Sequence, residues 1–186
     1  MIIWLAMPSC SSFILSILMG INLFSAAANN VRWPVSAPTV VLEANSMTRN
    51  QGSEMKYLLV RLTDDGKVEW DKYVGSAWER QTSSVSAESV SKIQRTLDSI
   101  DKSRLHGAMG PYHVYEDTSV ELRIQMTARQ GEVTFSVTNP WSGPGMPSRK
   151  RMPKEVKLVL CEVDALYAQV ASVSVDQMCK AITSPH

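Results

Sequence analysis

The chain has almost no net charge: nineteen Lys and Arg stand against eighteen Asp and Glu, leaving +1. Without a field of one sign, nothing global draws in nucleic acid or an anionic membrane, so a charged partner must be held locally. Catalytic signatures are missing as well. No Ser lies in a Gly-x-Ser-x-Gly elbow, no glycine loop of the phosphate-cradling kind occurs, and there is no His-Glu-x-x-His. Catalysis therefore has no named residue, and no cofactor is implied. Cysteine and histidine are scarce, at three each. What remains is ordinary globular material: 186 residues, 44% apolar and 20% charged, enough for one domain with a sizeable core.

Charge is also absent from the start of the chain, where the first ionisable side chain is Arg32. Phe13 to Phe24 is an apolar run broken only by Ser16, Gly20 and Asn22, and it leads into Ser25-Ala26-Ala27-Ala28. A short apolar region ending in small residues is what signal peptidase reads, so residues 1–28 are expected to be a secretory leader cut after Ala27 or Ala28. The alternative is an uncleaved anchor, since the run could just span a bilayer. Cys10 follows Met7-Pro8-Ser9, not the residues a lipoprotein signal places before its cysteine.

Residues 29–53 read as an irregular arm. Within them Thr39 to Ala44 is expected to form a short edge strand and Asn45 to Ser53 a loop. Met55 to Val74 then holds two apolar runs joined by Asp64, Asp65 and Gly66. Asp-Gly between strand-like runs marks a hairpin, because Gly takes the positive φ a tight turn needs. Leu58, Val60 and Leu62 on one alternation and Met55, Tyr57 and Leu59 on the other suggest a strand in mid-sheet. Its partner alternates Val68, Trp70 and Val74 with Lys67, Glu69, Asp71 and Tyr73, and a short run, Ala77 to Thr82, follows.

From Ser86 the period changes. Val90, Ile93, Leu97 and Ile100 recur at helical spacing, with Ser86 placed to cap, so residues 87–101 are expected to be a one-sided helix. Thr118 to Ala128 and Glu132 to Thr138 alternate cleanly and read as two neighbouring strands with one wet and one dry face. After a long Pro- and Gly-rich loop, Pro153 sits where a first helical residue belongs. Val156, Val159, Leu160, Val163, Leu166, Tyr167 and Val170 mark a second one-sided helix. The expected fold is α+β in two layers: an antiparallel sheet of four or five strands with two helices on one face. The domain spans residues 54–172, with a tail at 173–186.

At about 100° per residue, the stripe of the second helix centres near Val163, and Cys161 falls almost opposite, facing away from the core. Cys179 lies eighteen residues on, and an extended tail covering about 3.3 Å per residue can run back to it. A Cys161–Cys179 disulfide is expected, with Cys10 lost in the leader, as an oxidising compartment favours.

The remaining candidates each have a plain alternative. His106, His113, Glu116 and Asp117 lie in one loop and offer nitrogen and oxygen ligands, though their spacing fits no established zinc pattern. Arg149, Lys150, Arg151 and Lys154 form the one concentrated charge, at a helix start where cations oppose the macrodipole. They suit an anionic partner, or are simply a solvated loop edge. Trp141 is either an interface anchor or a plug for the sheet edge. Arg123 and Gln125, on the polar side of the cleanest strand, are candidates for an interface. Trp70 and Trp78 read as core or sheet-face residues.

The order of elements, carried by Leu62 to Val68, Ser86 to Leu97 and Tyr112 to Leu122, resembles a family of small exported bacterial domains of unknown function. The resemblance covers about Lys56 to Ala171, and it implies an exported two-layer α+β domain with no known activity. The functional expectation is a secreted or periplasmic, non-catalytic module that binds an unknown protein or envelope component. Nucleic acid is not expected, and a membrane only if the leader is retained. The alternatives are a membrane-tethered domain and a small hydrolase or metal-binding protein using the loop around His113.

Overall fold

A computed structural model of the chain describes residues 37–114, 117–129, 131–141, 151–173 and 179. The leader expected at 1–28 lies outside them. The strands are β1 (Val40–Asn50), β2 (Ser53–Thr63), β3 (Lys67–Val74), β4 (Ala77–Ser84), β5 (Gly107–Met109), β6 (Thr118–Ala128) and β7 (Gly131–Thr138). The helices are α1 (Ala87–Asp98) and α2 (Lys154–Ala171). The fold is α+β. Its sheet has seven strands, more than the four or five expected, in the order β4-β3-β2-β1-β6-β7-β5. Every neighbouring pair is antiparallel except β5 with β7.

The largest difference from the sequence reading is β1. Thr39 to Ala44 was expected at an edge, followed by a loop, yet β1 runs on to Asn50 and lies between β2 and β6. Asn45, Thr48 and Asn50 look like loop chemistry because they are polar. Asn45 is compatible with a strand because it stands on the wet face, while Thr48 and Asn50 share the alternation of Ala44 but lie toward the end of the strand, half-buried and exposed, beyond the core. The turn falls instead at Gln51 and Gly52, both at positive φ, as a type I′ two-residue hairpin turn requires. The hairpin at Gly66 does form as read. Gly66 sits at φ +84°, and an added Cβ would lie 2.7 Å from the Val85 carbonyl oxygen. Its own carbonyl accepts from the Val85 amide at 2.9 Å, which fastens the turn to the end of β4.

Registers explain how one face stays dry. Leu62 faces Val68 and Leu42, Ala44 faces Val60 and Ile124, and Ile124 faces Phe135. These side chains are buried and form one core with Val90, Ile93 and Leu97 of α1 and Val156, Val159, Leu160, Val163 and Leu166 of α2. The helices touch each other, α1 packs on β6, and α2 packs on β1 and β2. Burying each such side chain contributes roughly 1.5–3 kcal/mol, so this layer holds the domain together.

β2 does lie inside the sheet, but a bulge accounts for its apolar doublet. Ala44 faces Val60 while Asn45 faces Leu58, so Leu59 is the extra residue. Leu59 then packs against the core. Beyond this point β3 leaves β2, and the Asp71 carboxylate accepts from the Leu58 amide at 2.7 Å where a strand would otherwise pair.

α1 is capped as expected, Ser86 Oγ accepting from the Ser89 amide, but it ends at Asp98, before a separate 3-10 turn at Lys102–Arg104. Pro153 is the residue before α2, not its first. Cys161 is corrected as well. It was expected on the open side of α2, yet it is 4% exposed, with the fully buried Cys179 against it. The pair stands at disulfide distance, with Cα atoms 5.1 Å apart.

Candidate functional site

The alternation that buries one face also builds the other. Across the strands, Thr134, Gln125, Glu43, Arg61 and Glu69 stand in register in one row, and Ser136, Arg123 and Asn45 in the next. This polar face is concave. A groove of about 660 Å³ runs along β1 and β6, lined by Glu43, Asn45, Met47, Arg49, Glu121, Arg123 and Gln125 among others.

Most of its charges are already committed. Arg61 Nε donates to Glu43 at 2.7 Å and its Nη1 to Glu69 at 3.1 Å, while Asn45 donates to the other Glu43 oxygen at 2.7 Å. Burial works against the Glu43 carboxylate, but the bonds from Arg61 and Asn45 and the charges of Arg61 and Arg80 outweigh it. The group is held below the ordinary carboxylate value. Arg49 bridges Glu54 at 3.1 Å and Glu121 at 3.6 Å, and Lys56 pairs with Glu54 at 2.7 Å. Arg123 differs. It is exposed and has no ion pair among the described residues, and Gln125 lies one row away on the same strand face.

At the end of the sheet a second concavity of about 560 Å³ is lined by Arg49, Glu54, His113, Asp117 and Asn139 among others. Arg49 lines both, so groove and end pocket adjoin at this side chain. Asn139 builds this end. Its side chain accepts from the Val120 amide at 2.8 Å and donates to the His113 carbonyl at 3.1 Å, and its carbonyl accepts from the His113 amide at 3.2 Å. Asn tolerates the positive φ of 47° that this corner needs.

The sequence candidates are thus partly brought together. Arg123 and Gln125 line the groove, and His113 and Asp117 the end pocket. His106 does not line either, and Glu116 lies outside the described residues. Among the described residues no three His, Cys, Asp or Glu side chains gather to hold a metal ion. Arg149 and Lys150 lie outside the described residues, while Arg151 and Lys154 are exposed at the start of α2. Trp141 is half-buried and packs against the core.

Two features escaped the sequence reading. The ladder Glu43–Arg61–Glu69 is invisible until β1 is placed beside β2, because the residues are distant in the chain. The aromatics are the other. Trp70 is buried as read, but Trp78 is 36% and Tyr73 55% exposed. Trp78 stacks on Tyr57 at 4.3 Å and meets Tyr73 edge-on at 5.4 Å. The chain matches no protein-family model and no curated protein.

Proposed function

We propose that this protein is an exported, non-catalytic binding module that holds a polar partner of the cell envelope in the groove along β1 and β6. One observation carries the reading. The groove offers an exposed cation, Arg123, without an ion pair among the described residues, beside the Gln125 amide, on a floor whose other charges are internally balanced. Such a floor is already ordered, so binding costs little side-chain freedom, and Arg123 is the group left to take a carboxylate or other anionic acceptor. Export is supported by the apolar, charge-free start of the chain and by the Cys161–Cys179 pair, which an oxidising compartment preserves. No helix among the described residues is long and apolar enough to cross a membrane.

The test is co-sedimentation of the purified chain with the envelope fraction of the cells that produce it. Arg123→Glu combined with Gln125→Glu should abolish retention, and Arg95→Glu on exposed α1 surface should leave it intact. Equal retention of both variants refutes the groove as the binding surface.

A further inference from the structure

The two edges of the sheet are not alike. One is β5, three residues long, too short to invite pairing. The other is β4, eight residues in unbroken register with β3 and with no strand on its outer side among the described residues. Natural edges of this length are usually blunted by proline, charged side chains or a bulge. β4 has no proline, lysine or bulge. Its charges are Glu79 and Arg80, and Arg80 is held on Asp71 of β3. Trp78 of β4 is partly exposed, and Tyr73 and Val74 of the neighbouring β3 are exposed as well.

We propose that β4 is the seam of a symmetric dimer, in which a second copy of this chain pairs antiparallel with the same strand. The register follows from geometry. A two-fold axis through the seam must keep each copy's faces on the same side, so a residue can lie opposite only residues of its own alternation. The axis therefore passes through one residue position. Centring on Arg80 sets Arg against Arg and centring on Glu79 sets Glu against Glu, both unfavourable, while centring on Trp78 or Thr82 leaves most or much of β4 overhanging and unpaired. Centring on Gln81 sets two neutral amides opposite each other. Arg80 then faces the partner's Thr82, Glu79 faces the partner's Ser83, and Trp78 faces the partner's Ser84. Arg80 and its copy are only diagonal neighbours, each neutralised on its own Asp71.

The backbone agrees with this register. Gly75, at φ 63°, opens a two-residue turn that makes Val74 and Ala77 a hydrogen-bonded pair. Alternation then sends the amides and carbonyls of Ala77, Glu79, Gln81 and Ser83 to β3, and those of Trp78, Arg80, Thr82 and Ser84 outward. In the Gln81-centred register these outward groups meet: Arg80 exchanges both bonds with the partner's Thr82, and Trp78 with the partner's Ser84. About eight backbone bonds cross the seam. Because the axis is perpendicular to the sheet, both polar grooves open to the same side, and one extended partner can meet two of them.

The experiment uses the chain exported with its own leader and purified without reductant. Sedimentation equilibrium should give a dimer mass, and Thr82→Pro, which removes an outward amide and no bond to β3, should shift it to monomer. Gln81→Lys, which places like charges on the axis without touching the backbone, should raise the dissociation constant by about fivefold. Gln81→Cys should form an interchain disulfide in air, since directly opposite, non-hydrogen-bonded positions bring Cβ atoms within bridging reach. Glu79→Cys should not bridge to its own copy, but should bridge to Ser83→Cys when the two variants are mixed. A chain that stays monomeric at the highest concentration reached overturns the proposal. So does a dimer in which Gln81→Cys fails to cross-link, or in which Glu79→Cys links to itself as readily.

Discussion

Single carboxylates in this protein are tuned in opposite directions, and that fixes how stability should change with pH. Glu162 on α2 faces Thr96 and Lys92 of α1. Burial pushes its carboxyl up from the ordinary 4.5, more than the Thr96 hydrogen bond and the Lys92 charge pull it down. An acid raised in the folded state costs nothing while protonated in both states, and costs stability once the pH climbs through its folded value. Glu162→Gln should therefore stabilise the chain at neutral pH, with the gain fading as the pH falls through the raised folded value and gone below the ordinary carboxylate value. Glu43 is the reverse case. Its lowered value means its contribution is present above the ordinary carboxylate range and lost as the pH falls through the folded value. Urea denaturation from about pH 3 to about pH 8 reads both. A Glu162→Gln chain no more stable than the parent at neutral pH would contradict the placement of Glu162 between the helices. Neither residue was legible beforehand, since Glu162 looks like any polar position of an amphipathic helix and Glu43 depends on Arg61, eighteen residues away.

At the scale of elements, legibility followed how local the cause is. α1, β6, β7 and the Asp-Gly hairpin were readable because cap, period and turn lie within a few residues of one another. β1 was not, because its polar residues are strand-compatible only once β2 and β6 flank it. Arg123 and Gln125 were placed by clean alternation, but the groove around them needs Asn45 and Met47 from that misread strand. The Cys161–Cys179 pair was reachable from helix geometry even though the exposure inferred for Cys161 was wrong. That pair ties residue 179 to α2, and closing such a loop stabilises by roughly 3 kcal/mol. Titration of the unfolded, unreduced chain should find neither of these thiols free, and reduction should lower the urea midpoint accordingly. Two reactive thiols in that titration would remove the tie.

At the scale of the whole molecule, seven strands and two helices make a body with unequal sides. One face is a continuous apolar layer under α1 and α2, and the other carries a balanced charge ladder and a groove along β1 and β6. Hydrophobic burial explains the first side completely. The ladder is part-buried, with the Glu43 and Glu69 side chains 14% and 17% exposed against 34% for Arg61, and in the proposed function this ordered surface is the recognition face. The measurement that bears most directly on this is photocross-linking in the producing cell, with benzoylphenylalanine placed at Gln125 in the groove or at Lys92 on α1. Discrete envelope adducts from position 125 and none from position 92 are the expected result. Adducts from position 92 alone, or none from either, would contradict the assignment of the groove as the binding face.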